Sequence, residues 1–350
     1  MGRSRDEPSY RDPHDMGRET VIWIQSLGER TLSKPLSERW GKPVLNKMGK
    51  KIYLDQMSMK ELEERVKEND IVFLPVGSTE AHGPFEPLGE DTIIGVSIAE
   101  RVCYETGCTV ALPIPYGSHP SHHYGMRGTI PVRATTLIEY VADIIKWLSN
   151  AGFKKIIIWN SHGQEYVLPI AKDIAIIEKD VHALILVTSW WKWVQDLLRK
   201  AGTGEEIAPG VKLETPFVHA DEVEASVTWY VAPDLIDEEL LKKEGEWGVV
   251  RVIPGKWVNA AGNVFPDKPF NWYDVSHLPE FYYYKKGFVG WPKLADPKKG
   301  EVLINNVIKR VIEFVNWLKE NYPPGMVPRT WIDWEDLFYN KPKEYVEPKG

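Results

Sequence analysis

The stretch Ile71–Asp91 reads "IVFLPVGSTEAHGPFEPLGED". Its opening, Ile71–Val76, is a continuous apolar run of strand length, the pattern of a strand covered on both faces. The chain then changes character at once and presents Glu80, His82 and Asp91 among glycines and prolines. Carboxylates are almost never fully buried unless they are paired or bound to something. The segment leaving the strand is therefore either a loop with solvated charges or a metal site.

Outward from this stretch the strand signature returns in "CTVALPIPYG" (108–117), "KKIIIWN" (154–160) and "HALILVTSW" (182–190). Between these runs, "TIIGVSIAERVCYET" (92–106), "TTLIEYVADIIKWLSNAG" (135–152) and "EYVLPIAKDIAIIEKD" (165–180) carry helical spacing. Thr136 and Glu139 read as a capping box for the second of them. Such alternation predicts an α/β fold, with a mainly parallel sheet flanked by helices on both faces. Further helices are expected over "HADEVEASVTWYVAP" and "KGEVLINNVIKRVIEFVNWLKENY". The expected organisation is an N-terminal arm (1–50), one large α/β domain (51–325) with a Gly-, Pro- and aromatic-rich insertion (245–286), and a C-terminal tail (326–350).

Composition narrows the function. The 350 residues carry a net charge of −7 and no long basic block, so nucleic acid has no electrostatic footprint. No apolar run has the length of a membrane span, and the charged first residues do not resemble a signal peptide. Cys103 and Cys108 form no disulfide framework. A soluble, cytoplasmic protein acting on a small molecule is the expectation.

In open α/β sheets ligands collect at the carboxyl ends of the strands. Three polar clusters fall at such positions: the opening stretch, "NSHGQE" with His162, and "FVHADEVEAS" with His219 and Glu224. In an extended segment Glu80 and His82 project to one side. Histidines and carboxylates converging on one rim suit a divalent metal, or a pair of metals. Each residue also has a plainer role. Asp91 can be a helix N-cap, Asp221 and Glu224 a capping box, and a lone histidine a hydrogen-bonded structural group. No Walker or dinucleotide-binding motif is present.

Taken together and in order, "PVGSTEAHGPFEPLGED", "YGSHPSHHYGMRGTI", "WNSHGQE", "HADEVEAS" and "GFVGWPKLADPKKGE" resemble the motifs of the creatininase (creatinine amidohydrolase) superfamily over about residues 52–320. The resemblance implies a three-layer α/β/α fold and two divalent metals (Zn, Mn or Fe) held by Glu80, His82, Asp91 and His162, with Asp91 bridging. Creatininases proper carry a Glu two residues beyond the central His. This chain has Gln164 there, so Glu224 is the expected replacement ligand, and it is also grouped with the catalytic residues. His219 corresponds to the family's proton-shuttling histidine. The resemblance further implies a ring-like homo-oligomer, a hexamer.

"YGSHPSHHYGMRGT", "HGQEYV" and "ETPFVHADEVE" look most like one branch of the family, the 3-dehydro-scyllo-inosose (diketo-inositol) hydrolases of inositol breakdown. The implied activity is metal-activated water opening a small polar ring by C–C hydrolysis. The alternatives are a cyclic amide or formamide amidohydrolase and a non-catalytic ligand-binding paralogue. Substrate contacts are expected from His123, Tyr124, Gln164, Trp190 and Trp191. His122 and His123 read as partners for a polyol, in preference to "HxxHH" holding a third metal.

Overall fold

The computed structural model describes residues 42–120, 123–246 and 286–328. The expected arm, insertion and tail lie outside these residues except for their inner edges, at 42–50, 245–246, 286 and 326–328.

The fold is built on four parallel strands: β1 (Ile71–Val76), β2 (Thr109–Val110), β3 (Lys155–Asn160) and β4 (Leu184–Ser189), in the order β2-β1-β3-β4. Every residue of β1 and β3 is buried, which is why both read as unbroken apolar runs. β2 is shorter than its sequence run. Pro113 and Pro115 cannot donate to a ladder, and beyond Val110 only a single bridge, Ile114 to Val76, rejoins β1. The register pairs Val76 with Asn160 and Asn160 with Ser189. Three strands therefore end at one edge, and the segments leaving them emerge side by side.

Helices cover both faces. On one side Leu137, Val141, Ile145 and Leu148 of α3 (Ala134–Asn150) and Leu168, Ala171 and Ala175 of α4 (Leu168–Ile177) join Val72, Leu74, Val76, Ile156 and Ile158 in a single apolar cluster. The period of two along the strands meets the helical period along α3, as burial of one strand face against one helix stripe requires. On the other side α2 (Glu90–Thr106) lies against the sheet and packs with α6 (Glu222–Val231) and α8 (Pro297–Asn321). α6 and α8 approach closely because Gly300 has no side chain. A Cβ there would lie 2.0 Å from the Ser226 carbonyl oxygen. The remaining elements are α1 (Met59–Glu68), the one-turn α5 (Gln195–Leu198), a hairpin of β5 (Glu206–Ala208) and β6 (Val211–Lys212), and α7 (Glu238–Glu244). This is the mainly parallel, helix-flanked α/β architecture expected from the sequence.

Local readings of the helix starts need correction. The Thr136–Glu139 capping box does not form, since α3 begins at Ala134 and Thr136 already lies inside its first turn. The N-cap of α2 is Gly89, so Asp91 sits in the first turn and its side chain is not a cap. At the lower edge of the sheet a buried ion pair ties β3 to the start of β1. Lys155 Nζ lies 2.6 Å from Asp70 Oδ1, with both side chains almost fully buried.

Candidate metal centre

Six of the sequence-selected residues meet at the upper edge of the sheet. Glu80 and His82 leave β1, His162 leaves β3, Asp91 comes from the first turn of α2, and His219 and Glu224 flank the start of α6. Asp221 caps α6 by accepting from Val223 N and Glu224 N, while Glu224 turns its carboxylate back to accept from Ala220 N. Ala220 holds a left-handed φ of 44°, uncommon for a residue with a Cβ. That turn lets His219 and Glu224 face the same point.

The tautomers are set by the backbone. His162 Nε2 donates to Ser118 O (3.1 Å), His82 Nδ1 to Glu80 O (3.2 Å) and His219 Nε2 to Ala81 O (3.1 Å). A carbonyl oxygen can only accept, so in each neutral ring the other nitrogen presents a lone pair. Those nitrogens face carboxylate oxygens. His162 Nδ1 is 3.0 Å from Glu80 Oε2 and 3.3 Å from Asp91 Oδ2. His82 Nε2 is 3.5 Å from Glu90 Oε2, 3.9 Å from Glu224 Oε2 and 4.0 Å from Asp91 Oδ2. His219 Nδ1 is 3.5 Å from Glu80 Oε1 and 4.0 Å from Glu224 Oε2. Lone pair against lone pair is repulsive unless a proton or a cation lies between them.

Among the groups of side chains that can hold such cations are Glu80, Asp91 and His162; His82, Glu90 and Asp91; and His82, His219 and Glu224. Asp91 Oδ2 faces both His162 and His82, which is the position of a bridge, and Ser78 Oγ donates to it at 2.6 Å. An imidazole that gives one N–H to a backbone carbonyl and turns its other nitrogen to carboxylates has the usual geometry of a metal-binding histidine. The donor set fits divalent metal.

Without a cation the cluster must be held by protons. Burial pushes the His162 imidazole down, but Glu80 and Asp91 outweigh it and hold the ring well above its ordinary range. Burial likewise raises Glu80 and Asp91, and the neighbouring imidazoles overcome it, His162 foremost, leaving Glu80 far below the usual carboxylate range. Glu90 and Glu224 go the other way. Burial, then the adjacent carboxylates, pushes both well up. Burial also raises Asp221, to about 7, and lowers His119, to about 3.

These directions set the pH dependence of the metal-free protein. Glu90 and Glu224 titrate higher when folded than unfolded, so the folded state binds the more protons as pH rises above about 4.5, and stability falls. His162, raised when folded, adds a loss of the same sign above about 6.5. Glu80 and Asp91, both lowered, already contribute fully in this window, and His119, lowered to about 3, opposes the trend only below about 6.5. The chelated protein is expected to melt lower at pH 8 than at pH 5.5, and added divalent metal to recover most of the difference at pH 8. Equal melting of the chelated protein at the two pH values would contradict the assignment.

Other expected contacts fall differently. Gln164 is fully buried and its amide is committed to the scaffold. Oε1 accepts from Ser118 N (3.0 Å), and Nε2 donates to Gly77 O and Asn160 Oδ1 (both 3.2 Å). Both amide protons are used, so Gln164 is a clamp on the loops carrying Ser118 and Gly77, where a substrate contact was expected. Trp190 is buried against Trp191 and Phe217, while Trp191 is partly exposed. Tyr124 is exposed, and His123 lies 3.4 Å from Glu80 Oε1. His122 lies outside the described residues.

Sequence reasoning set His119 aside within "HxxHH" and missed Glu90. His119 Nδ1 is 3.5 Å from Glu80 Oε2, and Glu90, fully buried, has one oxygen beside His82 with no hydrogen-bond partner among the described residues. His119 sits in a turn-rich loop without periodicity, and Glu90 reads as an ordinary first-turn acid. For Glu224→Gln, affinity for one of the two cations is expected to drop by on the order of 10–100-fold with the fold intact. Metal titration with elemental analysis reads this, and unchanged stoichiometry and affinity would remove Glu224 from the ligands.

Comparison with known proteins gives the family. The family model described as "Creatininase: Creatinine amidohydrolase" matches residues 55–315. A 3-dehydro-scyllo-inosose hydrolase of Thermotoga maritima is 38% identical over 298 residues, 85% of this chain and 91% of that protein. A creatinine amidohydrolase of Pseudomonas putida is 24% identical over 79% of this chain and its own full length. Among solved structures, a manganese form of creatininase superposes with a TM-score of 0.60 at 22% identity, over 78% of this chain and 99% of that one, a likeness of fold. The chain belongs to the creatininase family of hydrolases.

Proposed function

We propose that this protein is a divalent-metal-dependent hydrolase that opens 3-dehydro-scyllo-inosose by breaking a carbon–carbon bond of its ring. The observation that carries the substrate is the 38% identity to a hydrolase of that name over most of both chains. Glu80, Asp91 and His162 would hold one cation, and His82, whose Nε2 faces Asp91 Oδ2 at 4.0 Å and Glu224 Oε2 at 3.9 Å, would hold the other with those two carboxylates. Bound there, such ions polarise a carbonyl and bring the pKa of water toward neutrality.

The chain's own groups supply the rest. Ser78 fixes the Asp91 carboxylate, and the Ser118 carbonyl, held by Gln164, fixes the His162 ring. The Ala81 carbonyl orients His219 so that Nδ1 is the nitrogen facing the centre. When water adds to one ketone of a 1,3-diketone, the adjacent C–C bond breaks and its electron pair passes into the second carbonyl as an enolate. His219 Nδ1 is placed to take the proton that water gives up and to return it to the enolate carbon, leaving a ring-opened keto acid. His123, reached by solvent, and Trp191 supply walls for the ring.

The same reading makes the protein a cytoplasmic homo-hexamer, supported by the family resemblance and by the free, buried thiols of Cys103 and Cys108. Among the described residues no helix is long and apolar enough to cross a membrane. Purified protein loaded with Mn or Zn is expected to convert 3-dehydro-scyllo-inosose to the acid and to leave creatinine intact. Turnover of creatinine alone would replace this reading with an amidohydrolase. Fewer than about one tightly held ion per chain and no turnover would make the protein a non-catalytic binder.

A further inference from the structure

Glu80 is surrounded more completely than a ligand of one metal needs to be. Its Oε2 faces His162 Nδ1 at 3.0 Å and His119 Nδ1 at 3.5 Å, and its Oε1 faces His123 Nδ1 at 3.4 Å and His219 Nδ1 at 3.5 Å. The proposed pair of cations uses His162 and His82, with His219 left for proton transfer. His119 and His123 are not used by that pair, yet their two Nδ1 atoms lie only 3.4 Å apart.

Protons alone do not satisfy this triangle. If both Nδ1 atoms carry protons toward Glu80, two N–H groups confront each other at 3.4 Å. If one nitrogen donates to the other, its lone contact with the carboxylate is acceptor against acceptor or is forfeited. Nε2 of His119 is buried with no hydrogen-bond partner among the described residues, so the Nδ1 contacts are what hold the ring's polar end. A cation between the three groups satisfies all of them. Ligand atoms bonded to a tetrahedral ion at roughly 2.0–2.1 Å lie about 3.3–3.4 Å from one another, close to the 3.4 Å between the two Nδ1 atoms and to the 3.5 and 3.4 Å by which Oε2 and Oε1 of Glu80 reach His119 and His123.

We infer a third divalent-cation site formed by His119 Nδ1, His123 Nδ1 and the Glu80 carboxylate, next to the proposed metal pair and resting on that two-cation reading. Two imidazoles and a carboxylate favour a first-row ion such as Zn, Mn or Fe. Three protein ligands leave coordination positions open, as in catalytic sites. The His123 side chain is 12% exposed whereas His119 is not exposed at all, so the open side is the solvent side. The class of ligand suited to it is a ring bearing adjacent oxygens, hydroxyl beside carbonyl, which can chelate such an ion. The spacing of "HxxHH", set aside on sequence grounds, thus becomes a site through His119 and His123.

The test is metal content. Wild type and the double variant His119→Ala/His123→Ala are equilibrated with excess Zn or Mn, freed of weakly held metal by gel filtration, and analysed for metal per chain. Wild type is expected to hold about three ions and the double variant about two, both with native circular dichroism. If the double variant does not fold, His123→Ala, on the solvent side, carries the same comparison. Equal metal content in wild type and variant overturns the third site. Equal content of about two leaves the two-cation reading standing, and equal content below about one removes that reading as well.

Discussion

Asp91→Ala is expected to lose both proposed cations and with them about 10³-fold or more of kcat, while the protein stays folded. The expectation rests on where one oxygen lies. Asp91 Oδ2 is 3.3 Å from His162 Nδ1, 4.0 Å from His82 Nε2 and 2.6 Å from Ser78 Oγ. Among the described residues, no other carboxylate oxygen faces the metal-directed nitrogens of both His162 and His82. Removing it unlinks the two groups, and because the neighbouring imidazoles hold the Asp91 carboxyl below its ordinary range, the metal-free variant is expected to be somewhat less stable than metal-free wild type while remaining folded. Asp91→Asn separates shape from charge. It keeps the volume, loses the anion, and is expected to resemble Asp91→Ala in metal content. A variant that retains both ions and turns over normally would reduce Asp91 to a first-turn acid complementing the helix dipole.

The second large effect concerns the opposite edge of the sheet. Lys155 is 1% exposed, and its Nζ has Asp70 Oδ1 at 2.6 Å and the Pro323 carbonyl at 3.2 Å. Asp70 Oδ2 accepts from Gly325 N at 2.8 Å, so one carboxylate ties β1, β3 and the segment after α8. Asp70→Ala leaves an ammonium ion in the interior without its counter-charge. Breaking one side of a buried pair costs about 3–5 kcal/mol. Urea or thermal unfolding is expected to show that loss, with kcat near wild type at 25 °C because the metal edge is untouched. Replacing both partners, as in Asp70→Leu/Lys155→Met, is expected to recover much of the stability, since the stranded charge is gone. Wild-type stability in Asp70→Ala would mean that Lys155 finds another anion.

The fold is legible in the sequence because its strands are buried on both faces. Between their ends, Ile71–Val76 and Lys155–Asn160 carry no polar residue, and the chemistry starts directly where the apolar run stops. Helix starts are less legible. Thr136 has the composition of an N-cap, but the preceding turn is already helical, and composition does not report φ and ψ. At the centre, residues announced by motif converge on one rim, from Glu80 to Glu224. His119 is set aside within "HxxHH" because a loop histidine carries no periodicity, and Glu90 stays hidden because a first-turn acid needs no second explanation. Gln164 reads as a contact with the substrate, while its amide is engaged by the scaffold. Nothing in a sequence shows that both protons of an amide are already taken by Gly77 O and Asn160 Oδ1.

That clamp bears on how such enzymes diverge. In creatininases proper the resemblance places a glutamate at this position as a metal ligand. Here Gln164→Glu would set a carboxylate against two acceptors, the Gly77 carbonyl and Asn160 Oδ1, and would forfeit both donors. Gly117 is wedged against the same amide, where a Cβ would sit 2.9 Å from Gln164 Oε1 and 2.8 Å from Gly77 O. Converting one lineage's arrangement into the other's thus requires the loop, the amide and the α6 glutamate to change in concert. A Gln164→Glu change made alone therefore strands two acceptors around one buried carboxylate.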